Sequence, residues 1–178
     1  GAAERVAIDN RAATRVVMLA TTTDVYVCMA DMQRPSGQSG LAGILVDANG
    51  SGAIVAQPGD YRITVNYRGT SDTEEGDGRT NWRDVDLVDD AWDAVRAQHS
   101  SGGPTQQDLW SAEFRFRRSL LDAPSDPDES VRFGLGVLLA SNSTANGEEL
   151  WPVAAGENTP VTWAEASLAE RVGFPPES

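Results

Sequence analysis

Four oxygen-bearing side chains gather in one stretch of this chain. Asp47, Asn49 and Ser51 alternate through the turn Asp47-Ala48-Asn49-Gly50-Ser51-Gly52, and Asp60 follows. Alternating hard oxygens on a tight, glycine-containing turn suit calcium, which takes about six to eight oxygen ligands in flexible geometry. The spacing resembles the opening of an EF-type loop, but Pro58 stands where the closing glutamate would be. The same residues are also ordinary turn formers. The expectation is a structural calcium ion held by Asp47, Asn49, Ser51 and Asp60.

Tryptophans supply a second kind of chemistry. Trp82 and Trp151 are flanked by polar runs, Gly76-Asp77-Gly78-Arg79-Thr80-Asn81 and Ala145-Asn146-Gly147-Glu148-Glu149. An indole beside polar groups makes a platform for the apolar C–H face of a sugar. Asp77, Arg79, Asn81 and Glu149 would then orient the ring through its hydroxyls. The alternative is that each indole folds back to cover an end of the domain. Trp110 and Phe133 fall on buried faces and read as core, and Trp163 reads as closing the fold near a final strand.

No catalytic constellation emerges. Glu113, Arg115 and Arg117 line one wet strand face and suit cross-strand pairing. Glu148 and Glu149 are neighbours on an extended chain and point apart, unlike the carboxylate pair of a glycosidase. His99 lies beside Ser100-Ser101-Gly102-Gly103 with no nucleophile elbow. Cys28, the only cysteine, excludes an internal disulfide and reads as a small buried hydrophobe.

The 178 residues suit one domain, spanning 1–178, that can bury a core without staples. The net charge is −13, and all 14 basic residues are arginine. That balance repels nucleic acid and anionic membranes. The absence of lysine removes Schiff-base and P-loop lysine chemistry. No apolar run approaches the ~20 residues of a membrane span. Gly1-Ala2-Ala3 reads as a processing or cloning remnant.

Period-two alternation dominates the pattern. Trp110, Ala112, Phe114 and Phe116 alternate with Ser111, Glu113, Arg115 and Arg117; Val131, Phe133, Leu135, Val137 and Leu139 alternate with residues that include Gly134 and Gly136. The acidic Asp122 to Ser130 loop joins these two strands. Further strands are predicted over Thr14 to Ala20 and Asp24 to Asp31, as a hairpin, and over Leu41 to Asp47 and Tyr61 to Tyr67. Residues 69–81 read as a long surface loop. Val85 to His99 reads as a helix, or as an irregular strand around Trp92. The fold class is all-β, an antiparallel β-sandwich of jelly-roll or immunoglobulin-like kind, with at most one or two short helices.

Taken in order, these segments resemble family 9 carbohydrate-binding modules and their DOMON-like relatives. The matching pieces are Asp24-Val25-Tyr26-Val27-Cys28-Met29, Gly43-Ile44-Leu45-Val46-Asp47, Gly59-Asp60-Tyr61-Arg62-Ile63 and Ala112-Glu113-Phe114-Arg115-Phe116 with Leu120-Leu121. Val131-Arg132-Phe133-Gly134-Leu135-Gly136-Val137 and Trp151-Pro152 with Pro160-Val161-Thr162-Trp163 complete the series, over roughly residues 14 to 168. The family's opening Asp-Gly…Trp segment is missing. Either the segment starts late, or the first strand is Arg5 to Asp9, or a neighbouring molecule supplies the edge.

The resemblance implies a non-catalytic, secreted or cell-surface module that binds carbohydrate, with calcium as a structural ion. A structural or adhesive module, assembling with other chains as a homo-oligomer or by strand exchange, is the alternative. Some DOMON-like sandwiches bind heme, for which Met18, Met29, Met32 and His99 would have to supply axial ligands; no Cys-x-x-Cys-His motif is present.

Overall fold

Strands form where the sequence alternates, and the alternation sorts them into two antiparallel sheets. A computed structural model describes residues 14–33, 40–87, 90–100, 108–121, 131–140, 148–151 and 155–168. The strands are β1 (Arg15–Ala20), β2 (Asp24–Gln33), β3 (Leu41–Asp47), β4 (Asp60–Asn66), β5 (Ser71–Gly76), β6 (Trp82–Asp84), β7 (Trp92–Ser100), β8 (Asp108–Arg117), β9 (Val131–Ala140), β10 (Glu148–Trp151) and β11 (Ala164–Leu168). One sheet has the order β1-β2-β8-β7. The other runs β10-β9-β3-β4-β5-β6, with β11 also paired to β9. The expected all-β sandwich is therefore the observed architecture.

The core is the set of inward positions of both sheets. Val25, Val27, Met29, Phe114 and Phe116 face Ile44, Val46, Ile63, Val65, Phe133 and Val137, all essentially inaccessible to water. Burying each such side chain contributes roughly 1.5–3 kcal/mol. Phe116 and Phe133 meet edge to face across the sheets, 6.1 Å apart at 80°, the geometry the ring quadrupoles favour. The two long alternating runs thus lie in opposite sheets, and the chain crosses the sandwich between them.

Two expectations are corrected and one open alternative is decided. Ser71–Gly76, within the supposed long loop, is β5: its backbone pairs with β4, Tyr61 against Glu75 and Ile63 against Thr73, and its charged side chains find cations. The segment from Trp92 is strand β7, paired with β8 from Trp92–Phe116 to Ser100–Asp108. Among the described residues the only helical pieces are 3-10 turns at Arg118–Leu120 and Pro160–Thr162. Cys28 is half-buried on the wet face of β2 opposite Glu113, outside the core. Burial and then the Glu113 charge push its thiol up, away from thiolate chemistry.

Met29 and Met32 pack in the core, and Met18 packs against it. His99 instead lies half-exposed beside Asp31, its Nε2 3.4 Å from Oδ1. Asp31 sits at a β-bulge with φ 63°, within the left-handed region. The edge role expected of residues 1–10 lies outside the described residues.

Candidate functional site

Every inward position of β3 has an outward neighbour, and on this strand both kinds are buried. Ile44 and Val46 enter the core. Gly43, Leu45 and Asp47 face outward, yet Leu45 and Asp47 are withdrawn from water. The cover is the segment 155–163, which straps the outer face of the seven-stranded sheet. Ala56 N donates to Asn158 O at 3.0 Å, and Val161 N to Ala53 O at 3.0 Å. Trp163 donates its indole N–H to Gly156 O at 2.9 Å, which fixes the ring over Gly136. A Cβ at Gly136 would stand 3.1 Å from Leu45 Cδ1 and 3.4 Å from the indole. Glycine at this outward position is what lets the ring settle on the sheet. Trp163 closes the strap onto the sheet face and is not part of the inter-sheet core.

Arg62, outward on β4, is the hub beside this strap. Its Nε donates to Glu74 Oε2 at 2.6 Å, and its Nη1 pairs with Glu157 of the strap. Its guanidinium carbon lies 5.4 Å from the Trp82 ring centroid, a cation–π distance. Burial alone would lower its pKa, but Glu74 and Glu157 together raise it above the ordinary value. Arg62 therefore stays charged.

Trp82 opens β6 and is half-buried, with its indole Nε1 enclosed and without a hydrogen-bond partner among the described residues. Asn158 reaches the same corner: its Nδ2 donates to Thr80 O at 3.0 Å, while its Oδ1 is enclosed and has no hydrogen-bond partner among the described residues. One orphan donor beside Arg62 and one orphan acceptor on the strap residue next to Glu157 thus belong to this corner. Such groups cost roughly 1–3 kcal/mol each when left unmet, and sites with that cost call for an explanation.

The sequence-derived residues divide between two places. Asp77, Arg79 and Asn81 lie in the β5–β6 connection that leads into Trp82, but Asp77 is engaged within its own loop. Its Oδ1 accepts from Arg79 N at 2.7 Å and Asn81 N at 3.2 Å. Desolvation would raise its pKa; the Asn81 and Arg79 bonds together hold it below the usual carboxylate range. Trp151 and Glu149 lie in β10, at the opposite edge of the sheet from β6. Four strands separate those edges, so Trp82 and Trp151 do not share one platform. Both belong to strands, not to the loops expected. Arg62, Glu74, Glu157 and Asn158 went unread: Arg62 and Glu74 look like ordinary wet strand positions until pairing places them side by side, Arg62 opposite Glu74.

The acidic turn also differs from its expectation. Asp47 Oδ1 accepts from Ser51 N at 3.1 Å and Oδ2 from Gly52 N at 2.8 Å, and Asn49 Oδ1 accepts from Ser51 N at 2.8 Å. Asn49 and Ser51 thus build the turn and are exposed. Asp60 sits opposite Asp47 in the β3–β4 register, wholly buried. Its Oδ2 accepts from Gln57 N at 2.7 Å, but Oδ1 has no hydrogen-bond partner among the described residues. Burial, with the Asp47 and Glu75 charges, pushes its pKa to about 7 against the Gln57 bond. Among the described residues no three acidic, histidine or cysteine side chains converge as a metal cluster. Two carboxylates with one orphan oxygen fit a cation in part, and Asn49 and Ser51 stand at the exposed turn beside them.

No protein-family model matches the sequence, and comparison with the curated proteins finds no match. Solved structures do match in shape. A family 9 carbohydrate-binding module from Caldicellulosiruptor kristjanssonii, in complex with cellotriose, superposes with a TM-score of 0.58 at 14% identity, covering 96% of this chain and 83% of that one. A module of that family and organism in complex with glucose gives 0.59 at 14%, covering 95% and 83%. A carbohydrate-binding candidate from Bacteroides uniformis gives 0.53 at 10%, covering 88% and 78%. The fold is thus that of family 9 modules, as the ordered segments implied.

Proposed function

We propose that this chain is a non-catalytic carbohydrate-binding module that works outside the cell or on its surface. The observation that carries the reading is the Trp82 corner: an indole beside Arg62, with the orphan Trp82 Nε1 donor and the orphan Asn158 Oδ1 acceptor. A sugar hydroxyl both donates and accepts, so a ring that opens this enclosed corner would answer both orphans. Its ring would stack on the indole face that Arg62 leaves uncovered, with Arg79 and Asn81 at the rim. Support comes from the fold, shared with modules solved with glucose and cellotriose. No helix among the described residues is long and apolar enough to cross a membrane. Titration with cellotriose should give a Kd of roughly micromolar to millimolar, since one ring buries little area. Trp82→Ala should abolish it. Unchanged binding by that variant, or no binding to any of a panel of neutral oligosaccharides, defeats the reading.

Calcium belongs to the same proposal. Asp47 and Asp60 would hold it, and two carboxylates in an acidic chain would supply the charge; Asn49 and Ser51 take no part. Such a site would be weak, of the order of 10⁻⁴–10⁻³ M, as in extracellular modules. The second reading, assembly with other chains, draws on Leu19 and Val95, more than half exposed on the outer face of the four-stranded sheet. Sedimentation showing a monomer at high concentration would dismiss self-assembly.

A further inference from the structure

The strap that covers the seven-stranded sheet leaves a groove on its other flank, away from Trp82. Its volume is about 330 Å³, and it is lined by Asp47, Arg132, Gly134, Val161, Trp163 and Glu165, with Gly50, Gly52, Phe133 and Pro160. We propose that this groove is a second binding site, for a single neutral pyranose ring.

The groove is built by glycines. A Cβ at Gly134 would stand 2.9 Å from Asp47 Cβ, and one at Gly50 3.1 Å from Arg132 O. Gly50 also has φ 61°, which side chains resist. These positions bring the β3 turn against β9 and leave a floor of bare main chain. Trp163, only 7% exposed, closes one side with little of its ring open to the groove, and its indole N–H is bonded to Gly156 O. Pro160 opens the 3-10 turn and Val161 follows at the mouth, 57% exposed.

Polar groups stand at the rim. Arg132 on β9 and Glu165 on β11 are mostly exposed and lie 3.8 Å apart. That is an ion-pair contact too long for a hydrogen bond, so the guanidinium donors and carboxylate acceptors remain available to a ligand. An apolar wall facing a donor–acceptor pair is what a pyranose needs: C–H groups on one face, hydroxyls at the edge. The size is at the low end of small-ligand sites, which fits one ring and not a chain. Charge decides between sugars. Glu165 at the rim and the chain's net charge of −13 disfavour a uronate or phosphate, for which Arg132 is the one opposite charge among the lining residues. A simple cation would make no use of the Val161 and Trp163 wall.

The site shares no residue with the Trp82 corner, so the two are separable. The test is a titration of ¹⁵N-labelled protein with D-glucose to about 100 mM, in the millimolar range expected for one ring. The backbone amides of Gly52 and Gly134 and the Trp163 indole should shift together and saturate. Val161→Asp, at an exposed position, should weaken that response at least about fivefold while the Trp82 indole responds as before. Arg132→Ala should weaken it also, and D-glucuronate should bind the groove less tightly than D-glucose. If the Trp82 indole moves and the groove signals do not, the second site is refuted and the first stands. Groove shifts that survive both Val161→Asp and Arg132→Ala would be transmitted from elsewhere, and equally refute it. If neither set moves, this inference fails, and the Trp82 reading is then decided by its own oligosaccharide titration.

Discussion

Asp47 and Asp60 face one another directly across the β3–β4 pair, 1% and 0% exposed, and among the described residues only one of the four carboxylate oxygens lacks a hydrogen-bond partner. Asp47 is tied by two main-chain N–H groups of its own turn. Asp60 receives one, and carries the tension of the pair. Two buried like charges disfavour simultaneous ionisation, so the pair has two ways to settle: a proton on Asp60, or a cation between the strands.

Without metal, stability should fall as pH rises. The folded-state pKa of Asp60 is about 7, above the ordinary 3.8. Below the unfolded value both states hold the proton and its stabilising effect is complete. Between about pH 4 and 7 the folded state retains a proton that the unfolded chain releases, so stability is lost through that window. Asp60→Asn keeps the acceptor for Gln57 N and removes the charge. It should flatten the dependence and stabilise the metal-free protein at pH 8 by on the order of 2–4 kcal/mol. Urea midpoints measured with chelator at pH 5 and 8 give the answer; parallel pH curves for the two proteins would contradict it.

Calcium should act in the opposite pH range. At pH 8, about 10 mM calcium should raise Tm by a few degrees through mass action. The effect should shrink at pH 5, where protons compete, and vanish in Asp60→Asn. Calorimetry with and without chelator decides it: a transition that does not move with chelator removes calcium from the account.

Arg62→Ala should destabilise the domain by roughly 2–3 kcal/mol, because it strands Glu74 and Glu157 as half-buried unpaired carboxylates. It also uncovers one face of Trp82. The expected signature is a lowered urea midpoint together with a changed tryptophan emission. A midpoint equal to that of the parent would mean the strap is held by Trp163 and its main-chain bonds alone.

Gly136→Val should lift Trp163 from the sheet, since the added carbons would collide with Leu45 and the indole. Overpacking of this kind costs about 1–3 kcal/mol. Red-shifted emission and a lower midpoint are the expected readings. The far-UV spectrum should be unchanged, because the outward position leaves the inter-sheet core intact. Emission at the parent wavelength would show that the strap accommodates the side chain.

The sequence by itself determined the strands whose two faces differ. Trp110 to Arg117 and Val131 to Leu139 announce themselves because one face meets the core and the other meets water. It also determined the order of segments that marks this fold, and the acid-rich turn at Asp47. It could not reveal β5, whose Ser71–Gly76 run has no apolar alternation and is a strand only because β4 supplies its hydrogen bonds. It left β7 open between a helix and an irregular strand, because Val95 is exposed and Ala94 buried within a run that also satisfies a helical spacing. The site was less legible still. Trp82 is visible as an indole among polar residues, but Arg62, which meets its ring, and Glu74, Glu157 and Asn158 around that corner come from β4, β5 and the strap, and only strand pairing and the strap's crossing bring them together. Trp151, alike in sequence context, is carried to the far edge by β10. Alternation is a local property that burial imprints along one strand; a binding corner is assembled from several strands, and its geometry exists only once the sheet has closed around it.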